Sequence, residues 1–200
     1  MEGMSVTGKG YKKHEQHVKN WIQHEGKQFL RAIGVKEGHT VLDFGCGAGR
    51  YAIPAARIAE KVYAVDENEG ALDELIGTAK SEKLGNIVPI KASKNRLKNE
   101  FFDVILLYDI LHYINQEERK KLYGEIHRIL KVNGLLSVYP KHHKEDEPLW
   151  NLANMCLEDM IREIESANFY LEKKYFKKLL HDNHYVMGSV LNFRKRGEKI

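Results

Sequence analysis

Short apolar runs alternate with amphipathic segments along most of this chain of 200 residues. The apolar runs predict seven β-strands, at His39–Phe44, Lys61–Val65, Ile87–Ile90, Phe102–Tyr108, Leu135–Tyr139, Tyr170–Phe176 and Tyr185–Phe193. Apolar residues at helical spacing predict five helices, at Tyr11–Ile33, Tyr51–Ala59, Ala71–Leu84, Glu117–Leu130 and Met155–Ala167. Because strands and helices alternate, we expect an α/β fold of βαβ units around a mostly parallel sheet.

Single residues also predict where some strands lie. Pro89 cannot donate a ladder hydrogen bond, so its strand is predicted to lie at an edge or to be irregular. Phe102–Tyr108 is the most apolar strand and is predicted to be central. The pair Asn133-Gly134 predicts a turn before the fifth strand. Few residues separate the last two strands, so one of them is predicted to be antiparallel.

Composition narrows the class of protein. Hydrophobic residues make up 42% of the chain and charged residues 30%, which is typical of a soluble globular protein. No apolar run is long enough to span a membrane, and the N-terminus lacks an apolar signal core. The sequence therefore predicts a cytoplasmic protein. A net charge of +4 without a dense basic block disfavours a nucleic-acid partner but does not exclude one. Oligomeric state is left open.

Cysteine and histidine spacing predicts neither a disulfide nor a metal site. The two cysteines are Cys46, inside a glycine-rich stretch that needs a free backbone, and the distant Cys156. The chain has ten histidines, but no HExxH or similar ligand motif occurs. We therefore expect no metal.

The most informative stretch is VLDFGCGAGR, Val41–Arg50, which joins a predicted strand to a predicted helix through Gly45, Gly47 and Gly49. Glycines allow sharp turns and let the backbone approach a ligand closely. The start of the following helix offers unpaired N–H groups and a partial positive charge. A nucleotide-like ligand or a carboxylate can rest there.

Three details refine this expectation. The dinucleotide fingerprint GxGxxG needs a glycine where Arg50 stands, which disfavours a pyrophosphate. Asp43 lies two residues before the first glycine, where a carboxylate suits an ammonium group and repels a phosphate. Asp66 ends the next strand, where a carboxylate can accept hydrogen bonds from two ribose hydroxyls. The predicted ligand is a nucleoside without phosphates.

At these residues the chain resembles the class I S-adenosylmethionine-dependent methyltransferases, particularly their small-molecule branch. VLDFGCGAGR is similar to their first motif and VYAVDENEGAL to their second. FFDVILLYDILHYI, with the later LKVNGLLSVYP, is similar to their fourth- and fifth-strand region. The resemblance covers about residues 38–140. It implies a three-layer αβα Rossmann-like fold, with a mostly parallel seven-stranded sheet and an antiparallel last strand. It also implies S-adenosyl-L-methionine as cofactor and S-adenosyl-L-homocysteine as product.

The length of the chain and the lack of an internal repeat or low-complexity tract predict one domain over residues 1–200. Residues 1–36 would be a helical segment able to act as a lid, 37–140 the cofactor-binding core, and 141–200 a C-terminal helix and two strands. The implied cofactor-binding residues are Asp43, Gly45, Cys46, Gly47, Gly49, Asp66, Glu67, Asn68, Ser93 and Tyr108. The family often has an acidic residue after the third strand, whereas Ala92 or Ser93 stands there in this chain. The contact with the adenine amine is therefore left open.

The acceptor is expected beyond the carboxyl ends of the strands. Candidates on that side are Asp109 and Tyr113 after the fourth strand, His142 after the fifth, and Tyr11 on the first helix. His112 is the best candidate general base because histidine titrates near neutrality, although it can equally pack or cap a turn. His142 and His143 stand in a charged stretch and are predicted to be solvated. Trp21 is predicted to pack against the sheet.

The sequence leaves more than one function open. The leading hypothesis is methyl transfer to a small molecule, and it rests on the set of Asp43, the GxGxG loop and Asp66. The absence of [DN]PP[YF] and Pro-Cys motifs disfavours methylation of DNA bases or glutamine. A non-catalytic scaffold, or a subunit acting on RNA or protein, is the main alternative. An NAD-type dehydrogenase is disfavoured by Arg50. The glycines, Asp66 and Tyr108 also have purely structural readings, as a turn, a helix N-cap and a core residue.

Overall fold

A computed structural model describes residues 7–92, 97–144 and 155–197, with backbone alone for residues 7–12. Its strands are β1 Thr40–Phe44, β2 Lys61–Asp66, β3 Ile87–Lys91, β4 Phe102–Tyr108, β5 Leu130–Tyr139, β6 Phe169–His181 and β7 His184–Lys195. Its α-helices are α1 Thr7–Asn20, α2 Gly26–Ile33, α3 Ala52–Ala56, α4 Glu69–Ser81, α5 Gln116–Ile129 and α6 Leu157–Ser166. Within the described ranges, no helix is both long and apolar enough to cross a bilayer.

The seven strands form one sheet in the order β3-β2-β1-β4-β5-β7-β6. All neighbouring pairs are parallel except those of β7, which runs antiparallel to β5 and to β6. The predicted α/β fold with an antiparallel last strand is confirmed. The strand with Pro89 lies at an edge, and β4 lies in the middle, as predicted. The chain reverses direction across the sheet between β1 and β4, where α/β proteins place their ligand crevice.

Two hydrophobic clusters cover the two faces of the sheet and create the three layers. One cluster includes Trp21, Leu30 and Leu75 from the helices α1 to α4 and their connections. The other includes Tyr123 from α5 and Ile164 from α6. Each face is buried because the β1 and β4 strands carry apolar residues on both sides, as buried parallel strands do.

The first helical segment begins at Thr7 and reaches Ile33, with a π-helical stretch at Trp21–Glu25 between α1 and α2. The Trp21 indole is 1% exposed, and its Nε1 donates to the Arg50 carbonyl at 2.8 Å. The predicted packing role of Trp21 is confirmed, and its contact ties this helix to the glycine-rich stretch. A lid role for residues 1–36 stays a prediction, because the side chain of Tyr11 lies outside the described residues.

Two predictions about the C-terminal half need correction. Asn133-Gly134 is not a turn before β5, because β5 already begins at Leu130 and passes through both residues. The pairing of β5 with β4 instead contains a register shift at this point, and Asn133 lies in the left-handed region with φ 60°. The last two strands are longer than predicted and are joined directly by the pair 182–183, a two-residue hairpin loop in which Asp182 has φ 51°.

Candidate functional site

A cavity of about 720 Å³ opens at the carboxyl ends of β1, β2 and β4, within the size range of small-molecule sites. Its walls are contributed by the glycine-rich stretch, the ends of these strands, the segment after β4 and the tip of the β6–β7 hairpin. The lining residues include Gly45, Cys46, Gly47, Arg50, Tyr51, Val65, Asp66, Glu67, Ala92, Tyr108, Asp109, Ile110, Tyr113, Leu180, Asp182 and Asn183.

The three glycines of the loop have different roles. All have positive φ, of +75° at Gly45, +50° at Gly47 and +83° at Gly49. A Cβ at Gly45 would lie 2.6 Å from Ile110 Cγ2, and one at Gly49 would lie 2.2 Å from Leu75 Cδ1. A Cβ at Gly47 would meet nothing within 4 Å. Gly45 and Gly49 therefore allow close packing, whereas Gly47 keeps the backbone bare beside the cavity; Gly49 itself does not line it.

Asp66 connects the loop to the end of β2. Its Oδ2 accepts a hydrogen bond from the Gly47 N–H at 2.7 Å, and its Oδ1 accepts one from the Asn68 N–H at 2.9 Å. The N-cap reading of Asp66 is wrong, because Asn68 caps α4 by accepting from the Ala71 N–H at 3.2 Å. Each carboxylate oxygen of Asp66 keeps a further lone pair. Asp66 and Glu67 line the cavity, whereas Asn68 does not.

Asp43 lies beneath the loop and outside the cavity lining. Its carboxyl group is 2% exposed and accepts a hydrogen bond from the Ala52 N–H at the start of α3. Among the described residues, its Oδ2 has no hydrogen-bond partner. Burial raises the pKa of Asp43 to about 7, and the nearby charge of Asp66 adds to this effect. The carboxyl group of Asp43 is thus about half ionised at pH 7, and it supports the loop from the side away from the cavity.

Two tyrosines form one wall of the cavity. The ring of Tyr51 meets that of Tyr108 edge to face at 4.6 Å. The Tyr51 hydroxyl donates to the Leu180 carbonyl at 2.7 Å, and the Tyr108 hydroxyl pairs with Ser137 Oγ at 2.9 Å. Burial raises the pKa of both phenols, so both stay neutral. Burial likewise raises the pKa of the Cys46 thiol, which excludes a thiolate nucleophile there.

Sequence reasoning missed Tyr51, Arg50 and the hairpin tip. Arg50 Nη2 lies 3.2 Å from both Glu74 Oε1 and Asn183 Oδ1, so it bridges α4 and the hairpin at the cavity rim. Arg50 was visible as the residue that ends the glycine stretch. The tip residues Asp182 and Asn183 could have been found as a polar pair between two strands with alternating apolar residues.

The residues predicted to face the acceptor lie around Asp109. Its Oδ2 forms an ion pair with His181 Nδ1 at 2.6 Å, and its Oδ1 lies 3.8 Å from His112 Nδ1. The His112 side chain is 2% exposed, and its ring lies 3.8 Å from that of the exposed Tyr113. Burial lowers the pKa of His112, so its imidazole is neutral at pH 7. Burial opposes protonation of His181, but the pairing with Asp109 outweighs it and raises its pKa.

The prediction that His142 and His143 are solvated is wrong. Both residues are buried, with less than 10% of their surface exposed. The His142 ring packs between His112, at 4.5 Å, and His181, at 5.0 Å. His142 and His112 flank the cavity without lining it. Ser93 lies outside the described residues, and its neighbour Ala92 lines the cavity at the end of β3.

The chain is similar in sequence to several known proteins. Residues 41–134 fit the family model described as a methyltransferase domain. An uncharacterized protein of Haemophilus influenzae is 45% identical over 47 residues, which are 24% of this chain and 18% of that protein. The carboxy-S-adenosyl-L-methionine synthase of Vibrio atlanticus is 23% identical over 174 residues, which are 83% of this chain and 69% of that enzyme. The chain spans less than two thirds of the length of most curated relatives it matches.

Solved structures share the whole architecture. A SAM-dependent methyltransferase from Aquifex aeolicus superimposes with a TM-score of 0.70 at 21% identity. The superposition covers 90% of this chain and 97% of that one, so the fold is common to both. Three findings point to the same kind of protein. They are the order of the strands, the position of the glycine loop beside Asp66, and the domain match over residues 41–134. Residues 41–134 thus match a methyltransferase domain, and the chain shares its fold with an S-adenosylmethionine-dependent methyltransferase of known structure.

Proposed function

We propose that this protein transfers a methyl group from S-adenosylmethionine to a small-molecule acceptor. The observation that carries the proposal is the Asp66 carboxylate beside the bare backbone of Gly47, at the edge of a cavity of about 720 Å³. A carboxylate with spare lone pairs suits two ribose hydroxyls, and an uncovered backbone suits the amino-acid part of the cofactor. The donor set therefore fits an adenosyl amino acid.

The remaining lining residues have complementary roles in this proposal. Val65 and Ile110 would hold the adenine between apolar side chains, with Ala92 in place of an acidic contact. Arg50 would face the cofactor carboxylate from the cavity rim. Tyr108 would lie under the methionine part. Asp43 would act through the loop and not by direct contact, because it is buried behind it.

The chemistry demands alignment more than acid–base catalysis. The bound cofactor supplies a methyl group on a sulfonium, whose neutral thioether is an excellent leaving group. The protein's part is to hold the acceptor in line with that methyl carbon and to exclude water. If the acceptor arrives protonated, neutral His112 could take up its proton, so we keep His112 as the predicted general base.

The small-molecule acceptor and the cytoplasmic location are parts of the same proposal. A cavity of this volume accommodates the cofactor together with a compact acceptor. The modest net charge of +4 favours a small acceptor over a nucleic acid, whose phosphates demand a dense basic surface. Asp109 and Tyr113 are the lining residues that we place beside the acceptor.

Calorimetric titration with S-adenosylmethionine and S-adenosylhomocysteine tests the proposal. Asp66→Ala removes two charge-assisted hydrogen bonds to ligand hydroxyls and should weaken binding by about 30-fold or more. Asp66→Asn, which keeps the shape, should retain part of the affinity. Asp73→Ala, the loss of an exposed carboxylate on α4, is the matched control and should bind like the wild type. Absence of binding by the folded wild type, or equal affinity in all three variants, would refute the site.

Turnover is measured separately. Formation of S-adenosylhomocysteine is followed with a panel of small amines, thiols, hydroxyl compounds and carboxylates, and with RNA and protein as comparison substrates. A small molecule should give the highest rate. Turnover with RNA or protein alone would establish the macromolecular alternative instead.

A further inference from the structure

Three side chains with metal-binding groups meet beside the cavity from three separate strand ends. Asp109 follows β4, His142 follows β5, and His181 is the last residue of β6. One ligand atom from each residue can be chosen so that all three lie within 4.8 Å of one another. Two histidines and one carboxylate are a donor set found in iron and zinc sites with open coordination positions.

The distances are close to those of a metal site. Asp109 Oδ2 lies 2.6 Å from His181 Nδ1, and Asp109 Oδ1 lies 3.9 Å from His142 Nε2. Two donors bound to one Zn²⁺ at about 2.1 Å in tetrahedral geometry lie about 3.4 Å apart. The two measured separations bracket that value. Side-chain rotations that shift each donor atom by about 1 Å would therefore bring the three donors to a single ion.

A simple ion pair between Asp109 and His181 leaves other features unexplained. Asp109 Oδ1 is buried and accepts no hydrogen bond from the described residues, which is costly for a carboxylate. The same oxygen faces His112 at 3.8 Å, so three imidazoles surround one carboxyl group. Asp109 and His142 also have left-handed backbones, with φ of 58° and 66°, a strain that clusters at functional sites. A cation shared by these groups would satisfy the oxygen and account for the convergence.

We propose that Asp109, His142 and His181 bind a divalent transition-metal ion of the Zn²⁺ or Fe²⁺ type. The side chains of His142 and His181 are about 10% exposed, whereas that of Asp109 is 28% exposed and lines the cavity. Bulk water is thus kept from the imidazoles, and the open coordination positions face the cavity. Three protein donors with an open position are the arrangement of a metal that also binds a substrate.

The role of the ion rests on the proposed function. An acceptor whose thiol or hydroxyl group binds at the open position gives up its proton to the predicted base His112, because a divalent ion lowers the pKa of the group it binds. The resulting sulfur or oxygen anion forms the new bond to the methyl carbon. The bond between that carbon and the sulfonium breaks, and its electron pair stays on the sulfur of the product. The expected acceptors are therefore small molecules with a metal-binding thiol or hydroxyl group.

The test uses the full chain, produced without a polyhistidine tag and stripped with a chelator. Co²⁺ binding is followed by visible absorption and Zn²⁺ binding by calorimetry, and we expect one tight ion per chain. His142→Asn, His181→Asn and Asp109→Asn should each weaken binding by about 100-fold or more. His127→Asn is the matched control, because its ring packs on Phe169 at the far side of α5 and should not affect binding.

The outcomes separate this inference from the proposed function. Absence of saturable binding by the wild type, or equal affinity in His127→Asn and His181→Asn, would overturn the metal site. If the variants fail to fold by circular dichroism, the Co²⁺ spectrum of the wild type decides. Nitrogen and oxygen ligation supports the site, whereas a thiolate charge-transfer band would place the ion on a cysteine and overturn it. Cofactor calorimetry on the same samples tests the proposed function alone, whichever way the metal titration turns out.

Discussion

Asp43→Asn should make the cofactor-free protein more stable at neutral and alkaline pH. Burial raises the pKa of Asp43 from its ordinary value of 3.8 to about 7, so ionisation of this carboxyl group works against the folded state. At a pH between these two pKa values, Asp43 keeps its proton in the folded chain and releases it in the unfolded chain. Stability therefore falls as the pH rises through this window, and the loss is complete above pH 7.

The size of the effect follows from the pKa difference. Each pKa unit corresponds to 1.36 kcal/mol, so full ionisation costs about 4 kcal/mol, of which about 3 kcal/mol is lost between pH 5 and pH 8. An asparagine cannot ionise, and its amide oxygen can still accept from the Ala52 N–H. The advantage of Asp43→Asn over the wild type should therefore grow by about 3 kcal/mol over that pH range.

Urea denaturation at several pH values measures this difference directly. Asp73→Asn is the matched control, because it makes the same chemical change on the exposed surface of α4. The free energy of unfolding of the control should follow that of the wild type at every pH. Parallel pH profiles for Asp43→Asn and the wild type would refute the reasoning and would mean that Asp43 is ionised without cost.

Three further substitutions test the packing around the site and between the helices α5 and α6. Gly49→Ala should destabilise the protein by about 2–4 kcal/mol, because its Cβ would lie 2.2 Å from Leu75 Cδ1 at a positive φ. Gly77→Ala, in open space on α4, should instead stabilise it by about 1 kcal/mol, and a loss in both variants would contradict the local explanation. Arg119 pairs with Glu163 through two hydrogen bonds, of 2.7 and 3.0 Å, that join α5 to α6, and both side chains are less than 10% exposed. Glu163→Gln should cost about 3 kcal/mol in urea denaturation, and an unchanged midpoint would show that the arginine finds another partner.

The end of the cavity formed by the glycine loop could be predicted because its signals are local in sequence. The glycine loop and Asp66 lie within 22 residues, and the apolar strands around them fix their direction. The position of Asp43 relative to the loop could not be predicted from the sequence. The sequence identifies a carboxylate at the end of β1, but only the packed structure shows it behind the loop, against Ala52.

The end of the cavity around Asp109 could be predicted only in part, because the strand ends placed Asp109, Tyr113 and His142 there but no pattern pointed to His181. Asp109, His142 and His181 are far apart in the chain and meet because the sheet topology places the ends of β4, β5 and β6 around one cavity. A motif search finds ligands on one helix or one loop and cannot see such a set. Burial of His142 was also hidden, because it depends on long-range packing and not on the charged residues that follow it in sequence.

The β6–β7 hairpin contributes to the cavity although it lies outside the segment that matches the methyltransferase domain. The segment that fits the methyltransferase-domain model ends at residue 134, yet Leu180 and Asn183 at the hairpin tip complete the cavity wall. A truncated chain that keeps the glycine loop would therefore have an unfinished pocket. Conversely, grafting a different tip between β6 and β7 would change the cavity wall at Leu180 and Asn183 and keep the Gly47–Asp66 contact, which makes this hairpin the place to alter the selectivity of the proposed site.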